Sequence, residues 1–149
     1  MKIAVINGPN INMLGVREPN VYGVQSYEDL EKYIENYAGE CGVEAVVLQS
    51  NSEGEIIDYI HHAVTSFDAI VINPGAYTHY SYAIYDALLA AQLPTVEVHI
   101  SNIHKRDEFR HKSVTAPACC GQICGLGFRG YTLAIDYLIG EVSKGEKDD

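Results

Sequence analysis

The sequence is poor in positively charged residues. Its 149 residues contain ten lysines and arginines against twenty aspartates and glutamates, which gives a formal net charge of −10 at pH 7. An acidic surface repels the phosphate backbone of DNA and RNA, so this balance argues against a nucleic-acid partner. Three of the four arginines, Arg17, Arg106 and Arg110, lie in predicted loops. A local positive site in an acidic protein favours a small anionic ligand, although a solvated run of charges explains the same pattern.

The sequence also lacks an apolar run of the roughly 18–20 residues that a membrane-spanning helix needs. Residues 1–3 lead directly into a predicted strand and do not have the layout of a signal peptide. The cysteines are Cys41, Cys119, Cys120 and Cys124. Their spacing matches neither a disulfide framework nor a zinc ribbon. We therefore expect a cytoplasmic protein without a membrane partner, whose cysteines are small buried residues in a reducing environment.

Several motifs of common enzyme classes are missing. The first loop contains neither GxGxxG nor GxxxxGK[ST], which argues against a nucleotide site, and no GxSxG marks a nucleophilic serine. His79, His99 and Glu97 do not have the spacing of a metal-ligand set, and the lysines lie in positions that do not favour Schiff-base chemistry. Acid–base chemistry by histidine, tyrosine and arginine, without a metal or cofactor, remains.

Short apolar runs alternate with amphipathic segments along the whole chain. The predicted strands are 3–6, 45–48, 69–73, 95–100 and 118–123, and the predicted helices are 26–41, 52–67, 81–92 and 127–142. This alternation predicts a flavodoxin-like three-layer α/β sandwich, with a five-stranded parallel sheet in the order 2-1-3-4-5 and helices on both faces. We expect one catalytic domain over residues 1–149, with a charged, frayed tail from residue 144.

Polar residues follow three of the predicted strands. They lie in the segments 7–10, 73–79 and 97–102. Ligands of open parallel sheets bind beyond the carboxyl ends of the strands, so these segments are expected to converge on one site. The loop over residues 7–23 is unusually long for a compact domain. It is either a lid over that site or an inert surface loop.

Three motifs make the sequence similar to a known family. They are N-G-P-N-x-N-x-L-G-x-R-E-P-x-x-Y-G at 7–23, N-P-G-A-Y-T-H at 73–79, and E-V-H-I-S-N-x-x-x-R-x-x-F-R at 97–110. In this order they resemble type II 3-dehydroquinate dehydratase. The resemblance implies dehydration of 3-dehydroquinate to 3-dehydroshikimate by anti elimination through an enolate, in the shikimate pathway or in quinate breakdown. A small-molecule binding module on the same fold is the alternative.

The resemblance also implies roles for individual residues. Tyr22 matches the general base, and Arg17 matches the arginine that helps to stabilise its anion. His99 matches the general acid, with Glu97 two residues earlier on the same strand face. Asn10 matches the residue that holds a water or the enolate oxygen.

The remaining residues match substrate contacts or supporting positions. The substrate contacts are Asn73, Gly75, His79, Ile100, Ser101 and Arg110. Asn73 also matches a second partner of the imidazole, and Arg106 matches a position that supports the closed loop. Asp86 matches a carboxylate that reaches the site of a neighbouring subunit. The family forms trimers that assemble into dodecamers, so a homo-oligomer is expected.

Overall fold

The computed structural model describes residues 1–16, 18, 20 and 24–147. The strands are β1 (Lys2–Asn7), β2 (Glu44–Gln49), β3 (Ala69–Asn73), β4 (Thr95–His99) and β5 (Gly121–Cys124), and the helices are α1 (Tyr27–Glu40), α2 (Glu53–Ser66), α3 (Tyr82–Ala91) and α4 (Arg129–Gly145). Neighbouring strands are parallel, and their order is β2-β1-β3-β4-β5. The predicted flavodoxin-like topology is confirmed.

The three central strands, β1, β3 and β4, are buried on both faces of the sheet. Side chains of a strand alternate between the faces, and on β1 this places Ile3 and Val5 in one hydrophobic cluster and Ala4 and Ile6 in another. The first cluster contains residues of α1 and α4, and the second contains residues of α2 and α3. A parallel sheet covered on both faces is the reason that the strands read as continuous apolar runs.

Serine caps begin three of the helices. Ser26 accepts a hydrogen bond from the Asp29 amide, and the Asp29 carboxylate accepts one from the Ser26 amide, which completes a capping box at α1. Ser52 and Ser81 accept amide hydrogen bonds at the starts of α2 and α3. These caps satisfy backbone donors that a helix start otherwise leaves unpaired.

Some predicted boundaries are wrong. β5 begins at Gly121 and not at residue 118, because Ala116–Ala118 forms a 3-10 turn. Pro117 within that turn has no N–H to offer to a strand ladder. α4 continues to Gly145, so the predicted frayed tail starts inside its last turn.

The prediction of buried cysteines is also wrong for two of the four. Cys41 and Cys120 are exposed, whereas Cys119 and Cys124 are partly buried, and all four are free thiols. α1 ends at Glu40, so Cys41 lies past the buried stripe of that helix. Cys120 directly precedes the edge strand β5. No helix in the described part of the chain is both long and apolar enough to cross a membrane.

Candidate active site

The polar segments at the ends of β1, β3 and β4 meet at one pocket, as the topology predicts. The predicted residues that line it are Asn10, Asn73, Gly75, His79, His99, Ile100, Ser101, Arg106 and Arg110. Pro9 and Ala76, from the predicted segments 7–10 and 73–79, also line the pocket, as do Ile11 and Ile103, which lie outside the predicted segments. The site therefore combines apolar residues with amides, imidazoles and guanidinium groups.

Two glycines allow the ends of β1 and β3 to lie against each other. The Gly8 amide donates to the Asn73 carbonyl at 2.8 Å. A Cβ atom at Gly8 would lie 2.5 Å from the Pro74 carbonyl oxygen, which is closer than real Cβ atoms come. Gly75 has a φ of +60° and faces the Pro9 carbonyl, so a side chain there would be strained in both conformation and space.

His99 and Glu97 form a buried pair at the end of β4. His99 Nε2 lies 3.0 Å from Glu97 Oε2, and the two side chains are 7% and 0% exposed. A carboxylate can only accept a hydrogen bond, so Nε2 carries the proton in this contact. In the neutral imidazole Nδ1 is then the nitrogen that can accept a proton. His99 thus has one nitrogen fixed by a carboxylate and the other available for chemistry.

Glu97 accepts hydrogen bonds from three further side chains. Ser113 Oγ and Gln122 Nε2 donate to Oε2 at 2.8 and 2.6 Å. The buried Thr115 hydroxyl donates to Oε1. Burial alone would raise the pKa of Glu97, but the hydrogen bond and charge of His99, together with the Thr115 and Gln122 donors, hold that pKa below its usual value.

A third hydroxyl connects this network to the loop after β3. Thr78 Oγ1 lies 2.8 Å from Ser113 Oγ and 2.9 Å from Thr115 Oγ1. Both of those hydroxyls use their protons on Glu97, so the Thr78 proton points to one of them. Thr78 belongs to the 3-10 turn Gly75–His79. These hydrogen bonds connect the Glu97 carboxylate to the turn that carries His79.

Asn73 lies beside a buried tyrosine. Its Nδ2 donates to the Tyr131 hydroxyl at 2.9 Å, and that hydroxyl donates to Asn7 Oδ1 at 2.7 Å. Asn73 Oδ1 accepts the Gly75 amide at 3.2 Å. The contacts found for the Asn73 side chain are to Tyr131 and Gly75, and its partnership with the His99 imidazole stays a prediction.

Asn10 begins the long loop in a left-handed conformation, with a φ of 68°. Its backbone amide donates to Asn51 Oδ1 at 3.1 Å. Gln49 Nε2 donates to the same Asn51 oxygen at 3.1 Å and to the Gly8 carbonyl at 3.2 Å. Asn51, just beyond the end of β2, thus holds the backbone of Asn10, which lines the pocket.

His79 has a defined tautomer in this structure. Its Nδ1 lies 2.7 Å from the Lys112 carbonyl, which can only accept, so Nδ1 carries a proton. Burial lowers the pKa of His79, the hydrogen bond to Lys112 opposes that shift, and His99 and Arg110 add to the lowering. Neutral His79 therefore presents Nε2 as an acceptor.

The two pocket arginines have different surroundings. Arg106 Nη2 forms an ion pair with Glu18 of the first loop at 3.1 Å. The guanidinium of Arg110 lies 4.8 Å from the centre of the Phe109 ring. Its Nε is buried without a hydrogen-bond partner among the described residues, and Asp107 Oδ2 at 3.7 Å is too distant for one. Arg110 lines the pocket, and its side chain as a whole is 19% exposed.

Four predicted residues are not among those that line the pocket, and one of them, Glu97, lies directly beside the lining residue His99. Tyr22 and Arg17 lie outside the described residues, so their positions remain predictions. Asp86 is exposed on α3 and does not line the pocket. Among the described residues, no group of three or more histidines, cysteines, aspartates or glutamates is arranged to hold a metal ion.

The residues around Glu97 are the main part of the site that sequence reasoning missed. Ser113, Thr115 and Gln122 follow β4 in the chain by more than ten residues, and Tyr131 is one of eleven tyrosines. A carboxylate on a buried strand, such as Glu97, needs hydrogen-bond donors. That requirement was the available sign that polar side chains from later in the chain surround it.

Comparison with known proteins agrees with this geometry. The family model described as Dehydroquinase class II matches residues 1–139. The 3-dehydroquinate dehydratase of Clostridium acetobutylicum is 61% identical over 144 residues, which cover 97% of this chain and 100% of that protein.

Solved structures give the same result. The type II dehydroquinase of Butyrivibrio crossotus superimposes with a TM-score of 0.92 at 56% identity, covering 93% of this chain and 97% of that chain. The type II dehydroquinase of Propionibacterium acnes superimposes with a TM-score of 0.89 at 45% identity, covering 92% and 94%. The chain belongs to the class II dehydroquinase family.

Proposed function

We propose that this chain dehydrates 3-dehydroquinate to 3-dehydroshikimate by anti elimination through an enolate. The observation that carries the proposal is the His99–Glu97 pair at the wall of a pocket lined by Asn10, His79 and Arg110. Family membership and the name 3-dehydroquinate dehydratase of a 61% identical relative support the same reaction.

The acid step is assigned to His99. In its imidazolium form His99 carries a proton on Nδ1 as well as on Nε2. The Nε2–H group keeps its hydrogen bond to Glu97, and the negative charge of this carboxylate stabilises the imidazolium. The Nδ1 proton goes to the departing hydroxyl, which leaves as water. Proton transfer by a positioned side chain typically contributes about 10²–10⁴ to a rate.

The base step is assigned to Tyr22. The phenolate takes the proton from the carbon beside the ketone, and the electrons of that bond form the enolate. When the enolate collapses, the ketone is restored, the former enolate pair forms the carbon–carbon double bond of the product, and the bond to the hydroxyl breaks. A free tyrosine has a pKa near 10, so the phenolate needs support from positive charge, and we assign that support to Arg17.

The other pocket residues hold the substrate. Arg110 lines the pocket with a side chain that is partly exposed, and its positive charge suits a ligand with a carboxylate or hydroxyl groups. Asn73, Gly75, His79, Ile100 and Ser101 complete the substrate contacts. Asn10 stabilises the enolate oxygen directly or through a water.

The first loop acts as a lid in this mechanism. Arg106 supports the closed form, and its ion pair with Glu18 already joins the loop to the pocket wall. Because Tyr22 and Arg17 belong to the same loop, closure would deliver the base and its cation together. Lids of this kind complete a catalytic site and exclude water.

The wider organisation is also part of the proposal. Residues 1–149 form one catalytic domain that works in the cytoplasm without a metal or an organic cofactor. Trimers assemble into a dodecamer, and Asp86, exposed on α3, reaches the site of a neighbouring subunit. The reaction serves the shikimate pathway or quinate breakdown.

A direct assay tests the activity. The purified chain is mixed with 3-dehydroquinate, and the ultraviolet absorbance of the conjugated enone product is followed. We expect the absorbance to rise in proportion to protein concentration. Binding of the substrate without any rise would favour a binding module on the same fold and would end the proposal of an enzyme.

A further inference from the structure

Gln122 lies on the edge strand β5 directly beside Glu97 of β4, and the two residues are register partners. Partners on neighbouring parallel strands point to the same face of the sheet. Gln122 Nε2 donates to Glu97 Oε2 at 2.6 Å, and His99 Nε2 donates to the same oxygen at 3.0 Å. Gln122 is exposed, whereas Glu97 is buried. The Gln122 amide, at the exposed edge of the sheet, and the His99 imidazole in the pocket thus donate to the same Glu97 oxygen.

We propose that Gln122 is a positioning residue for the acid step and that it acts on His99 through the Glu97 carboxylate. The inference rests on the proposed function, because it concerns the group that we assign as the acid. Gln122 does not line the pocket, so its effect does not require contact with the substrate.

The shared oxygen gives the coupling its direction. Oε2 also accepts Ser113 Oγ at 2.8 Å, so three donors draw on its negative charge. Each hydrogen bond stabilises the carboxylate and weakens its attraction for the positively charged form of His99. Without the Gln122 donor, more of the negative charge on Glu97 Oε2 acts on His99. The imidazole then holds its proton more tightly. A positive charge at position 122 has the opposite effect.

Other charged and titratable groups also act on the His99–Glu97 pair. The turn after β3 contributes His79, which interacts electrostatically with both His99 and Glu97. The pocket wall contributes Arg106 and Arg110. The charge of Glu97 helps to raise the pKa of the Cys119 and Cys124 thiols. Substitution of Gln122 leaves all five residues unchanged, so the difference between variants isolates the amide.

Two substitutions test the direction. Gln122→Met keeps the length of the side chain and removes the donor, whereas Gln122→Lys keeps a donor and adds a positive charge. We expect the pKa of His99 to rise by at least about 0.3 unit in Gln122→Met and to fall by a similar amount in Gln122→Lys. A purely structural role would not shift the pKa in opposite directions.

Ile123→Val is the matched control. Ile123 is the next residue of β5 and packs against the hydrophobic cluster on the other face. Its truncation weakens the strand without changing the donors to Glu97. We expect a loss of stability with no change in the pKa of His99.

The measurement is the titration of the His99 imidazole by NMR in protein with labelled histidine. His99 is identified by the signal that disappears in His99→Ala. The free protein is used, so the experiment does not depend on turnover. A second measurement follows kcat/KM against pH, in which the limb that reports loss of the acid proton should move in the same direction as the NMR titration.

The two levels of the proposal fail differently. If the wild type converts 3-dehydroquinate but both Gln122 variants titrate like the wild type, the role of Gln122 is wrong and the proposed function stands. If the opposite shifts are present but the wild type does not turn over, the coupling stands as a property of the pair and the proposed function is wrong. Should one variant fail to fold, an unshifted titration in the other is enough to overturn the inference.

Discussion

The Tyr131 hydroxyl accepts a hydrogen bond from Asn73 Nδ2 at 2.9 Å and donates one to Asn7 at 2.7 Å. The Tyr131 side chain is completely buried. One phenol on α4 therefore joins the last residue of β1 to the last residue of β3. These are the strands whose ends lead into the pocket.

The first prediction concerns this phenol. Tyr131→Phe keeps the ring but leaves the Asn73 amide and the Asn7 carbonyl group without their buried partner. We expect a loss of about 1–3 kcal/mol in the free energy of unfolding, measured by urea denaturation. Tyr82→Phe is the control, because Tyr82 is 66% exposed. Its effect should stay within about 0.5 kcal/mol, and an equal effect of both substitutions would contradict a special role for Tyr131.

The second prediction concerns the contact between the ends of β1 and β3. Gly8→Ala places a Cβ atom 2.5 Å from the Pro74 carbonyl oxygen, so the two segments must move apart. We expect a destabilisation of about 1–3 kcal/mol. We also expect kcat/KM to fall by as much as about 100-fold, because displacements near 1 Å can cost that much.

A helical glycine provides the control for Gly8. Gly140 lies within α4, and a Cβ atom there would meet nothing within 4 Å. Gly140→Ala should stabilise the protein by up to about 1 kcal/mol and leave turnover unchanged. If Gly8→Ala behaves like Gly140→Ala, the close approach of the two strand ends is not needed for the site.

The third prediction concerns the dependence of stability on pH. The pKa of Glu97 is held below its ordinary value, because the donors around it outweigh the effect of burial. The ionised carboxylate therefore stabilises the folded state above the ordinary glutamate pKa of about 4.3. This contribution is lost as the pH falls through the lower pKa of the folded state.

The measurement compares the wild type with Glu97→Gln between pH 3 and pH 6, each relative to its own stability at pH 7. Each proton taken up on unfolding changes the free energy of unfolding by about 1.4 kcal/mol per pH unit. We expect the acid-side slope to be shallower in Glu97→Gln by up to that amount. Identical slopes in the two proteins would show that Glu97 is not a source of acid sensitivity.

Much of the fold follows from local sequence patterns. The apolar runs at 3–6 and 69–73 are short and rich in β-branched residues, and their alternation with capped helices leaves few possible topologies. The strand order then places the ends of β1, β3 and β4 together. His99, His79 and Asn10 could be assigned to one pocket on that basis.

The support beneath the pocket could not be predicted in the same way. Tyr131 reaches Asn7 across 124 residues of sequence, and helical periodicity places its side chain only on the buried face. Gln122 meets Glu97 through the register of β5, which depends on the turn that Pro117 helps to form. Contacts of this kind depend on tertiary packing, which local propensity does not specify.

The most direct test of the account is the turnover of His99→Ala with 3-dehydroquinate, beside His62→Ala on the exposed surface of α2. We expect His99→Ala to lose at least about 100-fold in kcat. It should still bind the substrate, because the other pocket residues remain. His62→Ala should match the wild type. A kcat of His99→Ala close to that of the wild type would contradict the assignment of His99 as the acid.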